Sequence, residues 1–175
     1  MNKYLFPIFA VMLLVAGCAS SVTRDIMVDT DVDPKANLKG YSTYTWLGSA
    51  AIVYDPEGKW EPPQFDADAE IKFLIDRELR EHGLTESTAN PDLIVAYAAG
   101  IDMATMGIKI DPESELEKLE NVPMGALTVI LIDAGTGLAI WGGVATAEIQ
   151  HNPEQDVIKK RLDYAVSSMF KQLPK

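Results

Sequence analysis

This 175-residue chain is short of cysteine, with one, of histidine, with two, and of basic side chains, with 15 Lys and Arg against 26 Asp and Glu. A lone Cys excludes a disulfide framework and every multi-cysteine zinc site. A net charge of −11 leaves no basic face to hold phosphates, so nucleic acid is not an expected partner. Long apolar runs are missing too. The longest, residues 4–16, is broken by Pro7, whereas a spanning helix needs about 20 apolar residues. No internal repeat or second composition regime is present, and 12 Gly and 10 Pro are ordinary usage. The chain therefore reads as one folded domain, long enough to bury a core.

The start of the chain is unlike the rest. Lys3 is the only charge before Arg24, and the apolar run ends in the small residues Val15, Ala16 and Gly17, followed by Cys18. A charged start, a short apolar stretch and a small-residue ending form the pattern of an export signal. The tetrad ending in Cys18 resembles the lipobox of bacterial lipoproteins. That resemblance implies cleavage between Gly17 and Cys18, lipidation of the Cys18 thiol and acylation of the new amino terminus. Two or more acyl chains hold a protein stably, at about 0.8 kcal/mol per buried methylene. Ala19 follows Cys18; an Asp there would resemble an inner-membrane retention signal. The expected location is therefore the outer membrane of a diderm bacterium, on its periplasmic side. The expected organisation is a signal peptide over 1–17, a lipidated tether over 18–25 and one domain over 26–173. Removal of the leader takes away Lys3, leaving 14 basic against 26 acidic groups, a net −12. Attachment then rests on acyl chains, not on basic residues.

Along the mature chain, Ile26, Val28, Thr30 and Val32 alternate with polar residues as a half-buried strand that Pro34 ends. Asp29, Asp31 and Asp33 have the spacing of a calcium loop, but Pro34 and Gly40 stand where an EF-hand needs Gly and Glu. Residues 40–47, with Tyr41, Tyr44 and Trp46, suggest a second strand. Residues 48–65 read as a long loop carrying Tyr54, Trp60 and Phe65, and long loops are often functional. Asp66 caps an expected helix to His82, with Ile71, Leu74, Ile75 and Leu79 on its apolar stripe and Gly83 as its stop. His82 suits the helix dipole there better than it suits catalysis. Residues 93–103 form a strand, and 105–123 an acidic connector with a turn or two of helix after Asp111. Residues 126–133 and 138–149 form a hairpin, with Gly142 and Gly143 bulged or packed close under Trp141. A last helix begins at an Asn152 cap with Pro153 in its first turn, and buries Ile158, Leu162, Ala165, Val166 and Met169.

These elements carry recognisable words: Tyr44-Thr45-Trp46, Pro91-Asp92-Leu93-Ile94-Val95, Gly125-Ala126-Leu127, and Asp133 with Trp141-Gly142-Gly143. With the lipobox, their order resembles the domain-of-unknown-function family 4136 of bacterial lipoproteins, over residues 26–173. The expected fold is α+β (an α/β sandwich): a mixed, mostly antiparallel sheet of about four or five strands under two main helices. The expected order is β-β-α-β-β-β-α. The resemblance brings no catalytic residues and no cofactor or metal.

The motifs favour a non-catalytic envelope module, held in the membrane through Cys18 and meeting another envelope protein through Tyr54, Trp60 and Phe65, since aromatics dominate binding hot spots. An apolar small-ligand or lipid carrier, with Met103, Met106 and Met124 lining its site, is the alternative. A hydrolase would need two carboxyls in one cleft, drawn from Asp102, Asp111 and Asp133.

Overall fold

The computed structural model describes residues 21–110 and 117–174. Gly17, Cys18 and Asp111 lie outside the described residues. The elements are β1 (Met27–Val32), β2 (Thr43–Tyr54), α1 (Ala67–Glu81), β3 (Thr85–Glu86), β4 (Leu93–Asp102), β5 (Met106–Ile110), β6 (Glu117–Asn121), β7 (Met124–Asp133), β8 (Ala139–Glu148) and α2 (Gln155–Phe170). Six strands form one sheet in the order β1-β8-β7-β4-β2-β3, while β5 and β6 pair with each other. β2 runs parallel to β4 and β3, and the other ladders are antiparallel. Parallel strands need a crossover, and α1 supplies it.

Both helices lie on one face of the sheet. Leu93, Val95 and Tyr97 of β4 and Leu127, Val129 and Leu131 of β7 alternate inward, with Tyr44, Trp141 and Ala145 beside them. They meet Ile71, Leu74, Ile75 and Leu79 of α1, and Ala165, Val166, Met169 and Phe170 of α2. The helices run side by side in the same direction, joined by Lys159–Glu70 at 3.0 Å and Arg77–Asp163 at 2.6 Å. Arg77 also pairs at 2.5 Å with Glu78, which is buried. A buried carboxylate without such a partner would be costly. Asp66 caps α1 by accepting from the Ala69 N–H at 3.0 Å, and Gly83 leaves the helix at φ +82°. Gly143 lies under Trp141: a Cβ there would come within 2.8 Å of the indole and 3.0 Å of Met169 Sδ.

Four expectations are corrected. The main sheet has six strands, not four or five, with a two-stranded sheet besides. β2 does not stop at Leu47: a register shift between Trp46 and Gly48 is followed by continuous pairing of Gly48–Tyr54 with Ala96–Asp102. The aromatic loop is correspondingly shorter, and Tyr54 is a strand residue. From Glu117 the connector is strand β6 and not helix, with Leu119 opposite Ile108 and its backbone paired to β5, while residues 111–116 lie outside the described residues. Finally, Asn152 does not cap α2. It adopts φ 45°, outside the extended region a cap requires, and Glu154 occupies the cap position without a side-chain bond.

Candidate functional site

Two carboxylates fasten α1 to the sheet. Asp76 accepts from Tyr44 OH at 2.6 Å and Trp46 Nε1 at 3.2 Å. Asp68 accepts from Tyr97 OH and from Ser49 Oγ at 2.6 Å, and pairs with Lys72 at 2.8 Å. Lys72 first, then the Ser49 and Tyr97 hydroxyls, hold the Asp68 carboxyl down to about 2. Burial, and then Asp68, push the Tyr97 phenol up. Trp46 stands edge-on to both Tyr44 and Tyr97, at 6.4 and 6.1 Å between centroids. Carboxylates so fully engaged act as fasteners between layers.

A second polar cluster closes the end of the sheet where α1 and α2 finish. Asp92 accepts the N–H and hydroxyl of both Ser42 and Thr43, at 2.9–3.1 Å. The Ser42 N–H leads the bonds that keep its carboxyl at about 2. Tyr41 OH donates to Asp133 at 2.7 Å, which raises the phenol to about 12 and lowers the carboxyl. Beside this pair opens a cleft of about 410 Å³ lined by Leu38, Tyr41, His82, Leu84, Leu131 and Leu173, among others. His82 ends α1, with its Nδ1 2.9 Å from the Glu78 carbonyl.

The sequence-predicted residues spread differently. Tyr54 is exposed at the end of β2. Trp60 is half-buried and its backbone N–H donates to Asp55 at 2.7 Å, while Phe65 carries Lys159 Nζ 5.1 Å over its ring. Asp102 and Asp133 sit at opposite ends of the β4–β7 ladder, facing Met124 and Leu93 respectively. Nine residues of strand, about 30 Å, separate them, so they share no cleft. Met103, Met106 and Met124 gather where β4 and β7 give way to β5 and β6, away from the cleft. Among the described residues no group of three His, Cys, Asp or Glu could hold a metal, and no helix is long and apolar enough to cross a membrane.

The other face of the sheet is the one that residues 126–133 point to, since they are apolar on both faces, as expected of a central strand covered on both sides or of one at a buried interface. Ile94, Ala96 and Ala98 of β4, Thr128, Ile130 and Ile132 of β7, and Val144 of β8 point away from both helices. Among the described residues no helix covers them. Asp29 and Asp31, both exposed, border this apolar field on β1 opposite Val144 and Gly142.

A family model described as Domain of unknown function (DUF4136) matches residues 28–175. No curated protein matches the chain. Among solved structures, it is similar to a DUF4136 family protein from Bacteroides thetaiotaomicron at 14% identity, covering 85% of this chain and 95% of that one, with a TM-score of 0.52. It is also similar to a PDZ domain protein from Parabacteroides distasonis at 15% identity and a TM-score of 0.52, covering 86% of this chain. The chain spans only 37% of the length of that second protein. At such identities the likeness is one of fold.

Proposed function

The chain belongs to DUF4136, a family of domains of unknown function, and from that premise we propose that it is a lipid-anchored bacterial envelope protein whose domain serves as a non-catalytic interaction module. The leader ending in Cys18 supports the anchor, and Ala19 supports an outer-membrane, periplasm-facing location. The observation that carries the interaction role is the uncovered sheet face. Ile94, Ile130, Ile132 and Val144 leave an apolar centre in reach of solvent, and Asp29 and Asp31 give it an acidic border. An exposed apolar field with a polar rim is the anatomy of a protein interface. The charge sign calls for an envelope protein with an apolar patch edged by Lys or Arg. Tyr54 continues this face at the end of β2, Trp60 follows in the adjoining loop, and Phe65 turns to the helix side under Lys159.

A photo-crosslinking side chain at Ile130 in intact cells should capture one specific protein. Thr128→Arg, which sets a cation in the centre of the face, and Trp60→Ala should each remove that product. An unchanged pattern with both substitutions sinks the assignment.

The cleft beside Tyr41 supports a second reading, as a carrier of a small apolar ligand or lipid. Its volume, about 410 Å³, is of ligand size. Native mass spectrometry of the purified protein would show a retained ligand mass, and a bare mass counts against this reading.

A further inference from the structure

We propose that the β5–β6 hairpin is a lipid-contacting arm that lies on the membrane surface beside the acylated amino terminus. This rests on the reading of Cys18 as the anchored residue. β5 and β6 pair with each other outside the main sheet. Alternation sends Met106, Ile108 and Ile110 of β5 to one face of the hairpin, together with Leu119 of β6. Those four are 54%, 66%, 71% and 64% exposed. Gly107, Lys109, Lys118 and Glu120 take the opposite face. There Gly107 backs onto Val122, and Lys109 pairs with Glu148 at the end of β8. The face of Lys109 and Glu120 is thus turned toward the domain and that of the four apolar side chains away from it, with Glu117 beside Ile110 and Asn121 beside Met106 at its two ends.

The position of the arm says what meets that apolar face. Glu148, which holds Lys109, also donates its backbone N–H to Asp25 at 3.1 Å. Arg161 binds Asp25 at 2.6–2.7 Å and the Val22 carbonyl as well. The chain entering from Cys18 is therefore clamped to the same strand end as the arm. Cys18 lies three residues before Ser21, a reach of at most about 10 Å. Acyl chains on Cys18 hold this end of the domain, and not the cleft end, against the bilayer. Ile52, Val53 and Tyr54 add exposed apolar surface at this same end, since β2 finishes beside Asp102. At the headgroup level water still reaches the unpaired edges of a two-stranded hairpin, so the backbone carries no burial penalty there. With a net charge of −12 on the mature chain the contact is apolar, and a zwitterionic surface serves it.

The test uses the full lipoprotein in phosphatidylcholine–phosphatidylethanolamine vesicles, with a polarity-sensitive dye on Ile108→Cys or, at the far end, on Leu138→Cys. An acylated Cys18 takes no dye, so the introduced thiol is the sole target. The expected result is a blue shift at position 108 with several-fold stronger quenching by nitroxide lipids than at 138. Ile110→Asp in the same protein should reverse the shift while flotation with the vesicles persists. Equal, water-like emission from both sites on a protein that floats with an acylated Cys18 overturns the arm and leaves the anchor standing. A blue shift that nitroxide lipids do not quench and that fades on dilution places a second copy there and also overturns it. Dye on Cys18, with no acyl mass and no flotation, overturns both the anchor and the arm.

Discussion

The two faces of the sheet are built from the same strands and carry different loads. Along β4, Leu93, Val95 and Tyr97 are 1%, 0% and 5% exposed, while their neighbours Ile94, Ala96 and Ala98 remain in reach of solvent. The helix face is filled by large side chains and fastened by Asp68 and Asp76. The open face has small residues and isoleucines, with no helix over it among the described residues. Stability resides on the first face, and the second is free to serve contact.

Substitutions at adjacent positions separate the faces most strongly. Leu131→Ala empties a fully buried site and should cost about 2–5 kcal/mol in denaturant unfolding. Ile130→Ala, one residue away on the open face, should cost about 1 kcal/mol. Equal losses would mean that the open face is packed after all. Gly143 and Gly142 repeat the comparison with a single methyl. Gly143→Ala drives a Cβ into Trp141 and Met169, and should cost about 1–3 kcal/mol. At Gly142 the nearest atom would be the Val129 carbonyl oxygen at 3.9 Å, so Gly142→Ala should leave the midpoint nearly unchanged.

Acid sharpens the contrast between the fastened parts and the open face. Asp68 and Asp92 hold carboxyls at about 2 against an ordinary 3.8. A depressed folded-state value means that their stabilisation is complete above pH 4 or so and drains away as pH falls toward 2. The thermal midpoint should fall through that window, and Asp92→Asn should make the fall shallower. The open face carries the smallest expected effect. Thr128→Arg should shift stability by no more than about 0.5 kcal/mol, its stem lying along neighbouring apolar groups. It should nevertheless abolish the crosslink from Ile130.

Periodic segments were legible in the sequence because their side chains follow one rule. The alternation of β1, the stripe and cap of α1, and the β7–β8 hairpin are all where periodicity and turn chemistry put them. The second half of β2 was not. Gly48, Ser49, Ala50 and Ala51 are poor strand formers, and their pairing is provided by β4, about 50 residues on. β5 and β6 were hidden by Lys109, Glu117, Lys118 and Glu120, which read as a solvated run until the hairpin pairs them. The Asn152-Pro153 pair imitates a cap, but the left-handed backbone at Asn152 spends it on the turn before α2. At the candidate sites, the aromatics of the loop stood out by composition alone. The open face and the arm depend on which side of a strand each residue takes, and the register shift at Leu47 changes that side midway.

The pairing of β1 with β8 governs how the domain can be assembled. The first strand made is hydrogen-bonded to the last, Met27 to Thr146 and Val32 to Trp141. As the chain is made amino end first, β1 has no ladder to join until more than a hundred further residues have followed. Closure of the sheet is therefore a late, non-local event, and such events are slow. That delay leaves β1 without its ladder until the final hairpin and α2 arrive. Translation order and tertiary order run opposite to each other here, so truncation from the carboxyl end should release the amino-terminal strand first.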